Sequence, residues 1–178
     1  MANYKIIFTG PVGAGKTTAI ASISDVPPVS TDATASDMTR KRKNATTVAM
    51  DYGVLKLDKG DALHLYGTPG QERFDFMWDI LTEGGIGLVL LLDNSRNNPF
   101  QDLQFFLRTF EDFIGRTGVA IGVTQMDIKA QPTIRDYRQE LMTNGLKPPV
   151  FAVDARTHND VSLLVQALLF SMDPVLVD

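Results

Sequence analysis

Apolar and polar positions alternate along the chain with a period that changes from block to block, and each block predicts an element. Tyr4-Lys5-Ile6-Ile7-Phe8 is an apolar run suited to a buried strand over 4–9, and residues 15–24 carry the pattern of a helix. Asp25 to Ala45 is polar and holds Pro27-Pro28, which predicts a long loop of the kind that is functional or mobile in compact domains. From Thr47 to Leu57, Val48, Met50, Tyr52 and Val54 alternate with polar or small residues. Lys59-Gly60-Asp61 then turns and Ala62-Leu63-His64-Leu65-Tyr66 returns, so 47–66 reads as a hairpin. Gly67-Thr68-Pro69-Gly70 is a loop, and 71–82 a helix. The unbroken aliphatic run 86–92 predicts a buried parallel strand. Beyond it lie a helix over 100–114, with Leu103, Phe106, Leu107, Phe110 and Ile114 on one face, and a strand over 119–124. A helix over 133–143 closes at Asn144-Gly145; a strand at 150–153 and a helix at 161–172 complete the pattern.

Six strands and about five helices in this order predict an α/β fold: a six-stranded, mostly parallel sheet with one antiparallel edge strand and helices on both faces. The 178 residues suit one domain, 1–178. Ligands of such sheets bind beyond the carboxyl ends of the strands. The loops to inspect therefore follow the first, third, fifth and sixth predicted strands.

The first of these is Gly10-Pro11-Val12-Gly13-Ala14-Gly15-Lys16-Thr17-Thr18, which fits the P-loop pattern G-x-x-x-x-G-K-[ST] between a strand and a helix. Backbone N–H groups converge on a phosphate only where side chains stay out of the way, which Gly10, Gly13 and Gly15 allow. The helix start adds its unpaired amides and the positive end of its dipole. Lys16 would reach the outer phosphates as a point charge, and the Thr17 hydroxyl would sit on Mg2+.

Composition narrows the class. Hydrophobic residues make up 44% and charged residues 21%, enough for a sizeable core. A net charge of −4 argues against a nucleic-acid surface, which wants a basic field. Arg40-Lys41-Arg42-Lys43 is the exception, either a solvated run or a source of a catalytic arginine. With no cysteine, disulfides and thiolate metal sites are excluded, in keeping with a reducing cytosol. The longest apolar run is far short of a membrane span, and no signal peptide is evident. The second residue is Ala2, which gives no myristoylation signal, and there is no prenylation cysteine. Membrane attachment would therefore need a partner, and the expected location is cytoplasmic.

The remaining loops are Gly67-Thr68-Pro69-Gly70-Gln71-Glu72-Arg73-Phe74, Thr124-Gln125-Met126-Asp127 and Asp154-Ala155-Arg156. With the P-loop, this set resembles the Ras-like small GTPases over nearly the whole chain. The stretch Phe74-Asp75-Phe76-Met77-Trp78-Asp79 is similar to the bacterial gliding-motility type, whose partners are roadblock-fold proteins. The resemblance implies a P-loop NTPase fold of the Ras-like G-domain kind that binds GTP and GDP with Mg2+ and hydrolyses GTP. It implies that Gly70 offers an amide to the γ-phosphate and that Gln71 orients the attacking water. Arg73, Arg40 or Arg42 would be an arginine finger supplied in cis. Thr47, or Thr46 in its place, would put a hydroxyl on Mg2+. Asp127 would accept from guanine N1–H and its amine, a donor pair that adenine lacks. The Ala155 N–H would meet the guanine oxygen and the Arg156 stem would pack beside it.

Three positions depart from the family pattern. Gln125 stands where the base-reading motif has Lys. Gly67 stands where an Asp usually holds Mg2+ through water, leaving Thr17, Thr47, phosphates, waters or a carboxylate elsewhere. Val12 stands where Ras itself has glycine and would crowd Gln71, which predicts slow hydrolysis. The expectation is a GTP-controlled switch with a protein regulator, of which a roadblock-fold activator is one candidate. The rivals are a non-hydrolysing scaffold and a P-loop kinase. His64 reads as a core or edge histidine, and Trp78 with Phe74, Phe76 and Met77 as either core or an exposed partner surface, of which the partner surface is the favoured reading.

Overall fold

The computed structural model describes residues 1–30, 50–69 and 75–172. Its strands are β1 (Asn3–Thr9), β2 (Val29–Ser30), β3 (Asp51–Lys56), β4 (Ala62–Gly67), β5 (Gly87–Asp93), β6 (Val119–Thr124) and β7 (Val150–Ala152). They form one sheet in the order β2-β3-β4-β1-β5-β6-β7. The five strands from β4 to β7 run parallel, and β3 pairs antiparallel with β4. The expected α/β sheet is thus present, with one addition. Pro27-Pro28 holds the chain extended into Val29 and Ser30, which pair antiparallel with Tyr52 and Asp51, so β3 lies one place in from the edge.

Helices α1 (Lys16–Ile23), α2 (Asp75–Thr82), α3 (Pro99–Thr109), α4 (Glu111–Arg116), α5 (Ile134–Thr143) and α6 (His158–Met172) cover the sheet. Alternation along the strands divides the core between two faces. Ile6, Phe8, Val89 and Leu91 pack with Ile20, Leu164 and Leu168 from α1 and α6. Ile7, Leu88, Leu90 and Leu92 pack with Trp78, Phe106, Tyr137 and Leu141 from α2, α3 and α5. The single helix expected over 100–114 is kinked at Phe110 (φ −102°, ψ 17°). Hydrogen bonds from Phe110 N to Phe106 O and from Ile114 N to Phe110 O carry across the kink, and Phe106, Phe110 and Phe113 all stay buried. Among the described residues no helix is long and apolar enough to cross a membrane.

One expected face is reversed. On β3 the apolar alternation points to Tyr52 and Val54, yet both are only half-buried. Tyr52 stacks on His64 and packs on Tyr66. The buried positions are Asp51 and Gly53. A Cβ on Gly53 would lie 2.8 Å from Ile20 Cγ2, so the glycine is what lets α1 pack this close to β3.

Candidate functional site

The glycine loop leaves β1 under tight constraint. Gly10 has φ 146°, and a Cβ there would fall 2.0 Å from the carbonyl oxygen of Leu91 on β5. Gly15 has φ 100°, and its Cβ would stand 2.9 Å from Ala155 Cβ, so the loop also packs directly against the segment after β7. Helix α1 begins with Gly15 at its cap, no side-chain cap hydrogen bond and no acidic residue in its first turn. Such a start presents amides and a positive dipole end to an anion. Lys16 is 7% exposed, and its ammonium donates to the carbonyls of Gly10 (2.7 Å) and Pro11 (2.9 Å), lying along the loop. Val12 stands at the mouth, 57% exposed.

Beside the loop, Thr17 Oγ1 donates to Asp51 Oδ2 at 2.6 Å. Asp51 is 9% exposed and lies on β3 in register with Gly67 of β4. A hydroxyl and a carboxylate at the mouth of a phosphate loop are hard oxygen donors of the kind Mg2+ takes. Among the described residues no three His, Cys, Asp or Glu cluster to make a metal cage.

The far wall is built by β6 and β7. Thr124, at the end of β6, is buried and donates its hydroxyl to Ala14 O (2.9 Å) and Leu92 O (3.1 Å). Gln125 adopts φ 63°, a conformation uncommon for a residue with a side chain, and its carbonyl accepts from the amides of Ile128 and Lys129. This turn presents Asp127 at the exposed rim of the cleft. Fully buried Asn94 braces the turn: its amide donates to the Lys129 and Pro132 carbonyls at 2.7 and 3.0 Å, while Tyr137 donates to its oxygen at 2.7 Å. Burial pushes the Tyr137 phenol well above its ordinary range, so it remains a donor. After β7, the Arg156 guanidinium makes two bonds to Asp154, at 2.9 and 2.8 Å, and holds that carboxyl down at about 2. The Asp154 amide donates to Asp160 Oδ2, tying the turn to the start of α6.

These walls enclose a cleft of about 820 Å3. Of the site residues expected from sequence, Val12, Gly13, Ala14, Gly15, Lys16, Thr17, Thr18, Gln125, Asp127, Ala155 and Arg156 line it, whereas Gly10 lies against the Leu91 backbone and is not among the lining residues. Gly70, Gln71, Arg73, Thr46, Thr47 and the run Arg40-Lys41-Arg42-Lys43 lie outside the described residues. Sequence reasoning missed Asp51, Thr124, Asn94, Tyr137 and Asp160. Of these, only Thr124 carried a usable signal, as the first residue of the Thr124-Gln125-Met126-Asp127 loop singled out in the sequence.

The expected partner surface at Trp78 is corrected. Its side chain is 1% exposed, lies against Phe105, Phe106 and Phe110, and donates its indole N–H to Pro69 O at 3.1 Å. The α3 aromatics give the ring a complete apolar pocket, and Pro69 satisfies its one polar atom. His64 sits in the sheet as expected, within hydrogen-bond distance of the Tyr52 hydroxyl and the side-chain Oδ1 of Asn3.

A family model described as "Conserved hypothetical ATP binding protein" matches residues 27–147, more than half of the chain. An uncharacterized protein of Methanocaldococcus jannaschii is 30% identical over 98 residues, covering 55% of this chain and 56% of its own length. The GTP-binding nuclear protein GSP1 of Encephalitozoon cuniculi is 26% identical over 180 residues, 98% of this chain and 79% of that protein. Ras-related protein RabC of Dictyostelium discoideum is 24% identical over 180 residues, covering 95% and 85%. This chain thus spans about half of the Methanocaldococcus protein and most of the other two. The likeness to small GTPases seen in the loop motifs extends along the chain as distant homology.

Proposed function

The chain belongs to the family described as conserved hypothetical ATP binding proteins, and we propose that this member is a guanine-nucleotide switch that binds GTP and GDP with Mg2+ and hydrolyses GTP slowly. One observation carries the reading: a single cleft has a phosphate loop on one side and the Gln125–Asp127 turn with Ala155 on the other. A nucleotide would lie between them, with phosphates at Gly13–Thr18 and the base at Asp127. The Asp127 carboxylate would take guanine N1–H and the amine, whereas adenine would leave it without those donors.

In hydrolysis, a water oriented by Gln71 attacks the γ-phosphorus, the bridging P–O bond to the β-phosphate breaks, and GDP and phosphate leave. Lys16 would leave the Gly10 and Pro11 carbonyls to meet the outer phosphates. The Thr17 hydroxyl, with that of Thr47, would hold Mg2+, which when bound neutralises charge on the β- and γ-phosphates. The arginine finger would come from Arg73 or from the Arg40–Lys43 run. Switching would rest on the segments around 28–47 and 67–80 and on a protein regulator, with a roadblock-fold activator of the gliding-motility type as the candidate and a cytoplasmic setting. The single G domain would be 1–178.

Calorimetric titration with GDP, GTP and ATP analogues, with and without Mg2+, tests the reading. Guanine-selective binding that Lys16→Ala abolishes is the expected result. Selectivity for adenine, the base in the family's description, would overturn it. Binding of none would favour the scaffold, the reading that Gln125 in place of a lysine supports.

A further inference from the structure

We propose that the buried hydroxyl pair Thr9–Thr68 positions the backbone that enters Gly70-Gln71, so that the terminal phosphate of a nucleoside triphosphate meets donors already in place. The inference rests on the nucleotide-switch reading and adds two positioning residues to it. Thr9 closes β1 after Ile6-Ile7-Phe8 and is 0% exposed; Thr68 follows β4 and is 2% exposed. Their hydroxyl oxygens lie 2.8 Å apart. Burying a hydroxyl is costly unless it is hydrogen-bonded. Among the described residues, each of these hydroxyls has the other as its one hydrogen-bond partner. Thr9 is walled in completely, whereas Thr68 lines the cleft. The Thr9 proton therefore goes to Thr68 Oγ1, and Thr68 keeps its own for the cleft side.

Three hydrogen bonds converge on two residues. The Thr68 amide donates to Phe8 O at 2.9 Å, the hydroxyl pair lies beside it, and the Trp78 indole N–H donates to Pro69 O at 3.1 Å. Phe8 and Gly67 are register partners, so the first of these bonds extends the pairing of β1 and β4 one residue past the strand. The ring of Pro69 fixes its own φ and confines Thr68 to extended backbone. Thr68-Pro69 is thus joined on one side to the strand that feeds the glycine loop and on the other to α2. Gly70 comes next in the chain, about 3.8 Å on between Cα atoms, so a shift at Pro69 is passed directly to it. Two valines would fill the same space without burying a polar atom. A satisfied hydroxyl pair adds direction, which apolar packing does not supply. Under the switch reading a diphosphate needs only Gly13–Thr18, and the γ-phosphate is the group that needs this direction.

The test is calorimetric titration of the full chain with GTPγS and GDP, and with ATPγS and ADP, in excess Mg2+. The readout is the ratio of triphosphate-analogue to diphosphate affinity, because a merely structural role would lower both alike. In Thr9→Val, which keeps volume and branching and removes the hydroxyl, the ratio falls about two- to tenfold, the worth of one hydrogen bond, while diphosphate affinity holds. Thr9→Ser, which keeps the hydroxyl, retains the wild-type ratio. Thr9→Val/Thr68→Val leaves no hydroxyl unpaired, shows the fall again, and covers the case in which the single variant does not fold. An unchanged ratio in the valine proteins overturns the assignment, as does an equal loss of triphosphate and diphosphate affinity. A wild type that binds only the adenine pair overturns the guanine reading, and the ratio for that pair then decides the assignment. A wild type that binds neither pair overturns both.

Discussion

Thr124 donates its hydroxyl to the backbone carbonyl of Ala14, 2.9 Å away and 110 residues earlier in the chain. The end of β6 and the middle of the glycine loop are thereby tied to each other. The same hydroxyl reaches Leu92 O on β5, so three segments share one oxygen atom. The distance between the glycine loop and the Gln125–Asp127 turn across the cleft is set in part by this atom.

Replacing Thr124 with valine keeps the volume and β-branching but removes the hydroxyl, leaving the Ala14 carbonyl without this donor. Stability is expected to fall by about 1–3 kcal/mol, the cost of orphaning a buried polar group, as a lower midpoint in urea unfolding. Nucleotide affinity should fall with it. An unchanged midpoint would mean that water reaches the carbonyl.

Trp78→Ala separates core from partner surface. A large aromatic removed from a buried site costs about 3–5 kcal/mol, whereas an exposed interaction residue stays within about 0.5 kcal/mol. The burial among Phe105, Phe106 and Phe110 predicts the larger loss, read by denaturant unfolding.

Arg156→Ala should raise the titration midpoint of Asp154 from about 2 toward its ordinary 3.8, chiefly because the guanidinium hydrogen bonds are lost. The sign follows from linkage: a carboxylate depressed in the folded state adds stability above its unfolded pKa and loses it as pH falls through the folded one. The Arg156 contribution is therefore present above about pH 4 and disappears toward about pH 2. Carboxyl-resolved NMR titration of both proteins measures the shift, and equal midpoints would refute the pairing.

Val12→Gly tests the steric account of slow hydrolysis. Val12 lines the mouth of the cleft, where a branched side chain would stand in the way of Gln71 and an arginine finger. Single-turnover GTP cleavage should be faster in the variant. An equal or slower rate would remove Val12 as the cause.

What could be read from sequence was what is local. The P-loop, the base-side turn and the Ala155 segment are short strings whose chemistry lies within a few residues, and the fold returned each to the same cleft. Asp51 was hidden because its meaning is a register relation: it matters through Gly67 across the hairpin and Thr17 across a helix start. Period-two reading of β3 placed it on the polar side, while the close approach of α1 at Gly53 buries that side instead. Trp78 was misread because a short amphipathic helix shows which residues are apolar and not what covers them. Its cover is the aromatic face of α3, more than twenty positions away. Asn94 was invisible because its three side-chain bonds go to Lys129, Pro132 and Tyr137, all distant in sequence.

Trp78 is the only tryptophan in the chain, and its indole N–H is held by the carbonyl of Pro69 at the edge of the cleft. The protein therefore carries its own optical probe. Indole emission shifts with polarity and with hydrogen bonding at the ring nitrogen, so any rearrangement that withdraws Pro69 would change colour and intensity without a label. Stopped-flow fluorescence on the unmodified chain can follow that one contact in real time as nucleotide is added.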